Sequence, residues 1–192
     1  MRPLLASLLV LVAACGGASS NTPRLDPTRL EPARLYPMRE GLVWSYDVDA
    51  GPGAGPPALG ITRVVAVEGS RVRISSNNSD PIEYELRPDG VYLPEHRVYL
   101  LKAPVEEGAT WPSRSGRMAR VVSTTEHVVT PGGTYEGCVR IAEAGGDMQL
   151  DIETVYCADV GPVVVQSATT TALTGQRITV RATLRGFTDP AQ

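Results

Sequence analysis

Apolar and polar residues alternate along most of the chain after residue 36. The segment RITVRATLR, residues 177–185, is the clearest example, because apolar residues occupy every second position and arginine or threonine fills the positions between them. The shorter segments VWSYDV (43–48) and IEYEL (82–86) follow the same rule. Successive side chains of a β-strand point to opposite faces, so this alternation is typical of a strand with one buried and one exposed face.

About ten such segments occur, and they are joined by turn sequences rich in glycine, proline and aspartate, such as GPGAGPP (51–57). No segment after the first fifteen residues shows a helical period with recognisable caps. We therefore predict one all-β domain of about ten antiparallel strands over residues 37–188. It would form a barrel, a half-barrel, a curved sheet or a sandwich.

The first fifteen residues, MRPLLASLLVLVAAC, have a different pattern. Arg2 precedes an apolar run over residues 4–14, and this run is shorter than the roughly 20 residues that a membrane-spanning helix needs. A positive charge followed by a short apolar run and then small residues indicates a secretory signal. We predict a signal peptide over residues 1–14.

The end of that signal, VAAC, resembles the lipobox of bacterial lipoproteins. The resemblance implies cleavage before Cys15, a diacylglycerol group on its thiol and often a third acyl chain on its amine. Two or three acyl chains anchor a protein stably in a bilayer, whereas one is only marginal. Gly16, where an aspartate would favour inner-membrane retention, indicates the outer membrane. The alternative is an ordinary signal in which Cys15 has no role.

Residues 15–36 show neither a helical nor a strand pattern. GGASSNTP is a flexible sequence, and RLDPT, RLEPA and RLYPM then follow with a proline every five residues. Proline disrupts a regular helix and favours extended conformations in the residue before it. We predict that this segment is a semi-rigid tether between the lipidated cysteine and the β domain.

The phrase PMREGLVW, residues 37–44, returns as PVEEGATW, residues 104–111, and the two copies contain the two tryptophans of the chain. Proline, glycine and tryptophan recur at the same offsets, as Pro37, Gly41 and Trp44, and as Pro104, Gly108 and Trp111. Glycine tolerates positive φ, and tryptophan has a large apolar surface to bury. We predict two equivalent turns with buried indoles. A platform on which sugar rings stack is the alternative.

Two further phrases, GTYEGC (133–138) and YCADVGPV (156–163), complete a set of four. With the two tryptophan phrases they resemble a group of bacterial lipoproteins and secreted proteins that share P-x-x-x-G-x-x-W twice, G-T-aromatic-x-x-C and Y-x-x-x-V-G-x-V. Cys157 and Asp159 depart from that pattern, where alanine and glycine are common. The resemblance implies a β-rich envelope domain and brings no activity or catalytic residue with it.

Two cysteines remain after Cys15, namely Cys138 and Cys157. An even pair in an exported protein indicates a disulfide bond. Two free thiols or two metal ligands are the alternatives. The chain has two histidines, neither near a cysteine in sequence, so we predict no metal site and no cofactor.

The formal net charge is −3, and no basic patch indicates a nucleic-acid partner. One strand segment does carry an arginine ladder, Arg177, Arg181 and Arg185. Guanidinium groups bind phosphate and carboxylate in pairs of hydrogen bonds, so this face is a candidate site for lipid head groups or acidic glycans. Ion pairs with acidic residues on neighbouring strands are the alternative.

His96 and His127 lie in no nucleophile motif, so no catalytic residue is predicted. The preferred hypothesis is a membrane-anchored envelope lipoprotein with a non-enzymatic interaction or structural domain. Its partners would be the bilayer, through Cys15, and envelope proteins, lipids or glycans. A hydrolase of envelope polymers is one alternative. A lipid or lipoprotein carrier is another, with an apolar groove lined by residues such as Val64, Leu86, Val122 and Val164.

Overall fold

A computed structural model describes residues 30–146, 150–171 and 175–190. Twelve strands form within these residues. They are β1 (Val43–Asp49), β2 (Ala58–Glu68), β3 (Arg71–Ser76), β4 (Ile82–Arg87), β5 (Gly90–Leu93), β6 (Val98–Lys102), β7 (Thr110–Pro112), β8 (Arg117–Thr130), β9 (Gly133–Gly145), β10 (Leu150–Cys157), β11 (Gly161–Thr170) and β12 (Arg177–Thr188). A four-residue helix, α1 (Pro32–Leu35), precedes them. The predicted all-β fold is confirmed.

The structure has two strands more than the roughly ten predicted, and each of the two has a simple cause. The sequence VYLPEHRVYLL contains two strands, β5 and β6, separated by a turn in which the Arg97 amide donates to the Pro94 carbonyl at 3.3 Å. The second addition is β7, which has three residues. Three residues are too few to show an alternating pattern in the sequence.

All twelve strands belong to one antiparallel sheet, in the order β6-β5-β4-β3-β2-β1-β12-β11-β10-β9-β8-β7. Apart from β6 and β7, strands that follow each other in the chain pair with each other, and β1 pairs in addition with β12. This pairing joins two runs of six strands, β1–β6 and β7–β12. The sheet is a nearly closed barrel, and its two edges are β6 and β7, which follow each other in the chain.

The barrel interior holds the hydrophobic core. Residues two apart on one strand enter it together, as the alternation predicts: Trp44 with Tyr46, Val72 with Ile74, Ala119 with Val121, and Val139 with Ile141. Side chains from both runs of strands therefore meet in one cluster. Burial of apolar surface on this scale is the main stabilising contribution to such a domain.

The β8–β9 hairpin extends beyond the sheet and folds over its outer face. Its register shifts three times between Val121 and Val128, and at its tip the Gly132 amide donates to the Leu184 carbonyl of β12 at 3.0 Å. Since β10 and β11 lie between β9 and β12 in the sheet, the hairpin must cross both strands. β-bulges bend and twist a strand in this way.

Residues 30–36, the last part of the predicted tether, pack against the barrel. Leu35 is fully buried and Tyr36 is 7% exposed, and both belong to the core cluster. The Asp159 amide donates to the Arg34 carbonyl at 2.7 Å. The tether predicted over residues 15–36 therefore overlaps the folded domain at residues 30–36. The short helix is compatible with Pro32, because proline is tolerated in a first helical turn. Residues 15–29 lie outside the described residues.

Candidate functional site

The two copies of the tryptophan phrase fold in the same way. Gly41 and Gly108 have φ of 82° and 88°, as the predicted turns require. Each copy makes the same three backbone hydrogen bonds: Gly41 N to Val64 O, Val64 N to Leu42 O and Leu42 N to Arg39 O in the first, and Gly108 N to Val121 O, Val121 N to Ala109 O and Ala109 N to Glu106 O in the second. Each turn begins one run of six strands.

Both indoles are buried and hydrogen-bonded. Trp44 is 0% and Trp111 is 2% exposed. The Trp44 Nε1–H donates to the Val160 carbonyl at 2.7 Å, and the Trp111 Nε1–H donates to the Tyr99 carbonyl at 3.2 Å. Since neither ring face is open to solvent, the indoles offer no platform for sugar stacking. They are structural residues of the barrel interior.

A cavity of about 260 Å³ remains in the interior and is the candidate site. Six strands that are consecutive in the sheet contribute to its wall, from β4 through β1 and β12 to β11, and Tyr36 of the N-terminal segment completes it. Tyr46, Ile74, Tyr84 and Val165 are among the lining residues. None of the lining side chains is charged. A mainly apolar cavity with a few polar groups is typical of small-molecule sites.

The cavity tyrosines are held in the neutral form. Burial raises the pKa of Tyr36, Tyr46 and Tyr84, because the phenolate would be poorly solvated there. The Tyr46 hydroxyl donates to the Pro162 carbonyl at 2.9 Å. The hydroxyls of Tyr36 and Tyr84 make no hydrogen bond to any described residue. The Tyr36 ring also packs against Trp44, with 5.4 Å between ring centroids.

The groove expected for a lipid carrier does not form from the residues named for it. Val64 is 1% exposed and belongs to the core, whereas Val122 is 45% exposed. Val164 lies in a crevice on the outer face, beneath the β8–β9 hairpin. These residues lie in different parts of the molecule, because the sheet separates its two faces. The tyrosine-lined cavity was not predicted from the sequence.

The arginine ladder on β12 is largely neutralised by its neighbours. Arg177 pairs with Asp151 and Arg185 pairs with Asp47, each at 3.1 Å. Arg181 donates to the Gln166 side-chain oxygen at 3.0 Å. The interpretation as ion pairs with adjacent strands therefore holds for two of the three arginines. Such exposed pairs contribute little to stability.

The crevice beneath the β8–β9 hairpin has a volume of about 310 Å³ and is lined by several ionisable side chains. Glu126 and His127 line it on the hairpin side, and Arg140, Glu153 and Arg181 line it on the sheet side. The Arg140 guanidinium donates to Glu126 at 2.6 Å and lowers the pKa of that carboxyl. An ion-paired carboxylate of lowered pKa is a poor general acid.

A disulfide bond joins Cys138 to Cys157, as predicted. The register of β9 against β10, with Val139 opposite Tyr156, places the two cysteines directly across from each other. Both are almost fully buried. The bond therefore fixes the hairpin strand β9 to the body of the sheet.

One polar cluster in the interior was missed by the sequence analysis. Arg117 and Glu143 pair at 3.4 Å with side chains only 5% and 8% exposed, and the Ser113 hydroxyl donates to Glu143. The spacing along the strands could have indicated this cluster, because residues two apart on a strand lie on the same face. Arg117 is two residues before the buried Ala119, and Glu143 is two residues after the buried Ile141. The net stabilisation from a buried ion pair of this kind is small, because the loss of hydration offsets the attraction between the charges.

Cys15 lies outside the described residues, so its lipidation stays a prediction. Among the residues that are described, no helix is both long enough and apolar enough to cross a bilayer.

No family model matches the chain, and no curated protein does. Two solved structures are similar in fold. One is a protein of Bacteroides fragilis provisionally described as exported, with a YmcC-like fold, at 10% identity and a TM-score of 0.49 over 80% of this chain and 98% of that one. The other, provisionally described as a lipoprotein of Parabacteroides distasonis, has 13% identity and a TM-score of 0.45 over 83% and 100%. Neither similarity bears on activity.

Proposed function

We propose that this chain is a lipid-anchored protein of the bacterial cell envelope, and that its barrel acts by binding and not by catalysis. The observation that carries the proposal is the way the N-terminal segment enters the barrel. Tyr36 is held inside the domain by aromatic packing, and the exposed Arg34 is held at its surface by a hydrogen bond from the Asp159 amide. The chain that leads back to Cys15 therefore emerges from one defined place on the domain.

The distance between anchor and domain is limited by the residues between them. Fifteen residue steps separate Cys15 from Leu30, so a fully extended chain would reach about 50 Å. A proline-containing segment is stiffer than a glycine-serine linker, which keeps the domain off the lipid surface within that limit. Because Gly16, and not an aspartate, follows the cysteine, we propose that the anchor lies in the outer membrane.

The support for binding instead of hydrolysis comes from how the carboxylates are held. Glu126, in the outer crevice, is paired with Arg140, and Glu143, in the interior, is paired with Arg117. A hydrolase of sugar polymers needs one carboxyl with a raised pKa and a second one a few ångströms away. The interior cavity, whose lining has no charged side chain, is instead suited to the recognition of a small ligand.

The anchoring part of the proposal is tested by replacing Cys15 with Ser in the full-length chain. Without a lipid acceptor, the protein should move from the membrane fraction to the soluble fraction on ultracentrifugation. A Cys138→Ser/Cys157→Ser double variant is the matched control, since it loses two cysteines but keeps the lipidation residue and should stay with membranes. If the Cys15→Ser protein is retained in membranes, the anchor is wrong.

A further inference from the structure

We infer that the tyrosine-lined cavity binds a small neutral molecule with an apolar body, either one ring or a short acyl chain, and one hydrogen-bond-accepting group. This inference goes beyond the proposed function by naming a site and a ligand class. It relies on the proposal only in that the barrel acts by binding.

The size of the cavity restricts the ligand. Its volume of about 260 Å³ exceeds the roughly 150 Å³ of an engineered apolar cavity that accepts benzene. It is smaller than the 300 Å³ or more of sites for drug-sized ligands. The cavity therefore suits a single ring or a short acyl chain and excludes a diacyl lipid.

The lining restricts the charge of the ligand. Valine, isoleucine, alanine and proline side chains form much of the wall, and no charged side chain contributes to it. Transfer of a carboxylate or an ammonium ion into such a site without a partner is strongly unfavourable. The body of the ligand must be apolar, and its polar group must be neutral.

The tyrosines specify that the polar group is an acceptor. Tyr36 lines the cavity, is 7% exposed, and has a hydroxyl with no partner among the described residues. Its raised pKa keeps that hydroxyl protonated, so it can donate. Tyr46 differs, since its hydroxyl already donates to the Pro162 carbonyl. A hydroxyl that faces the cavity without a protein partner is left to water, and an accepting oxygen on a ligand can take the place of that water.

A route into the cavity exists at the start of β4. Ile82 lines the cavity there and is 40% exposed. The Asn77 side chain accepts from the Ile61 amide at 2.8 Å and fixes this edge of the opening. The entrance therefore combines an apolar side chain, Ile82, with the polar side chains of Ser76 and Asn77.

The test compares methyl hexanoate with hexanoate at neutral pH, because these probes share a chain and differ in charge. Binding is measured by NMR titration of the full chain carrying Cys15→Ser, so that neither acyl chains nor detergent occupies the cavity. The ester should bind saturably, with shifts at residues of β1, β2 and β12, and hexanoate at least tenfold more weakly. No saturable binding of the ester, or equal binding of both probes, overturns the inference.

Variants locate the site. Tyr36→Phe removes the donor and keeps the ring, and should weaken ester binding roughly three- to tenfold. Ala182→Leu should abolish binding by filling the cavity, and Val48→Phe repeats that test if Ala182→Leu does not fold. Tyr99→Phe is the matched control, because the Tyr99 hydroxyl bonds Asp89 away from the cavity, and its affinity should be unchanged. Unaltered ester affinity in a folded filling variant contradicts the inference.

The two proposals fail separately. The probe titration is made in solution and does not depend on a membrane. A chain that is anchored but does not bind the ester keeps the anchoring proposal and loses this one.

Discussion

Each tryptophan satisfies a carbonyl that the strand ladders leave unpaired. Val160 lies in the turn between β10 and β11, and Tyr99 lies on β6, an edge strand of the sheet. Buried carbonyl groups need a donor, and the indole is the large apolar side chain that carries an N–H. The repeated phrase therefore places a tryptophan at the start of each run of six strands because that position needs both bulk and a donor.

Replacing either tryptophan with phenylalanine should lower the free energy of unfolding by about 1–3 kcal/mol, because a buried carbonyl loses its donor. The two variants should differ in where they act. Trp111→Phe should speed amide hydrogen exchange mainly in β6 and β7, whereas Trp44→Phe should affect exchange throughout the domain. Urea unfolding and hydrogen exchange measure these effects. Unchanged stability in both variants would show that the indole hydrogen bonds are unimportant.

At the scale of strands and hairpins, the sequence predicted what local pattern determines. The segment RITVRATLR, predicted as a strand, lies within the single strand β12, although its first apolar residue, Ile178, is 42% exposed. The fold-over of the β8–β9 hairpin could not be predicted, because it depends on three register shifts and on contact with β12, some fifty residues away. Bulges leave little trace in an alternating pattern.

The packing of the N-terminal segment could not be predicted from the sequence either. The packing of residues 30–36 involves the contact of Arg34 with Asp159, which is 125 residues distant. The candidate cavity is a further example. Its wall comes from Tyr36 and six strands, and no local motif indicates which side chains of so many elements will face one another.

The disulfide bond belongs to this scale, because it connects the hairpin to the sheet. The loop it closes spans 19 residues, so Cys138→Ala/Cys157→Ala should lower the free energy of unfolding by about 3 kcal/mol. Equilibrium urea unfolding measures the loss. In the Cys15→Ser chain, a thiol reagent added in denaturant without reductant should label no cysteine. Labelling of two thiols would contradict the bond.

The molecule as a whole is a single sheet wrapped around an aromatic interior that the N-terminal segment completes. Tyr36 brings that segment into contact with Trp44, Tyr84 and Tyr156, with ring centroids 5.4–6.4 Å apart. Residues from the first run of strands, the second run and the N-terminal segment therefore share one cluster. This cluster fixes the place at which residue 30 leaves the domain.

The most direct test of that arrangement is alkaline titration of the tyrosines in the Cys15→Ser chain. Burial raises the pKa of Tyr36, Tyr46, Tyr84 and Tyr156 above the unfolded value of about 10. Their contribution to stability is therefore complete below about pH 10 and is lost as the pH rises further. Absorbance at the phenolate band, followed together with near-ultraviolet circular dichroism, should show four of the seven tyrosines ionising only as the tertiary signal disappears. Ionisation of all seven near pH 10, with the tertiary signal intact, would contradict a buried aromatic core that includes the N-terminal segment.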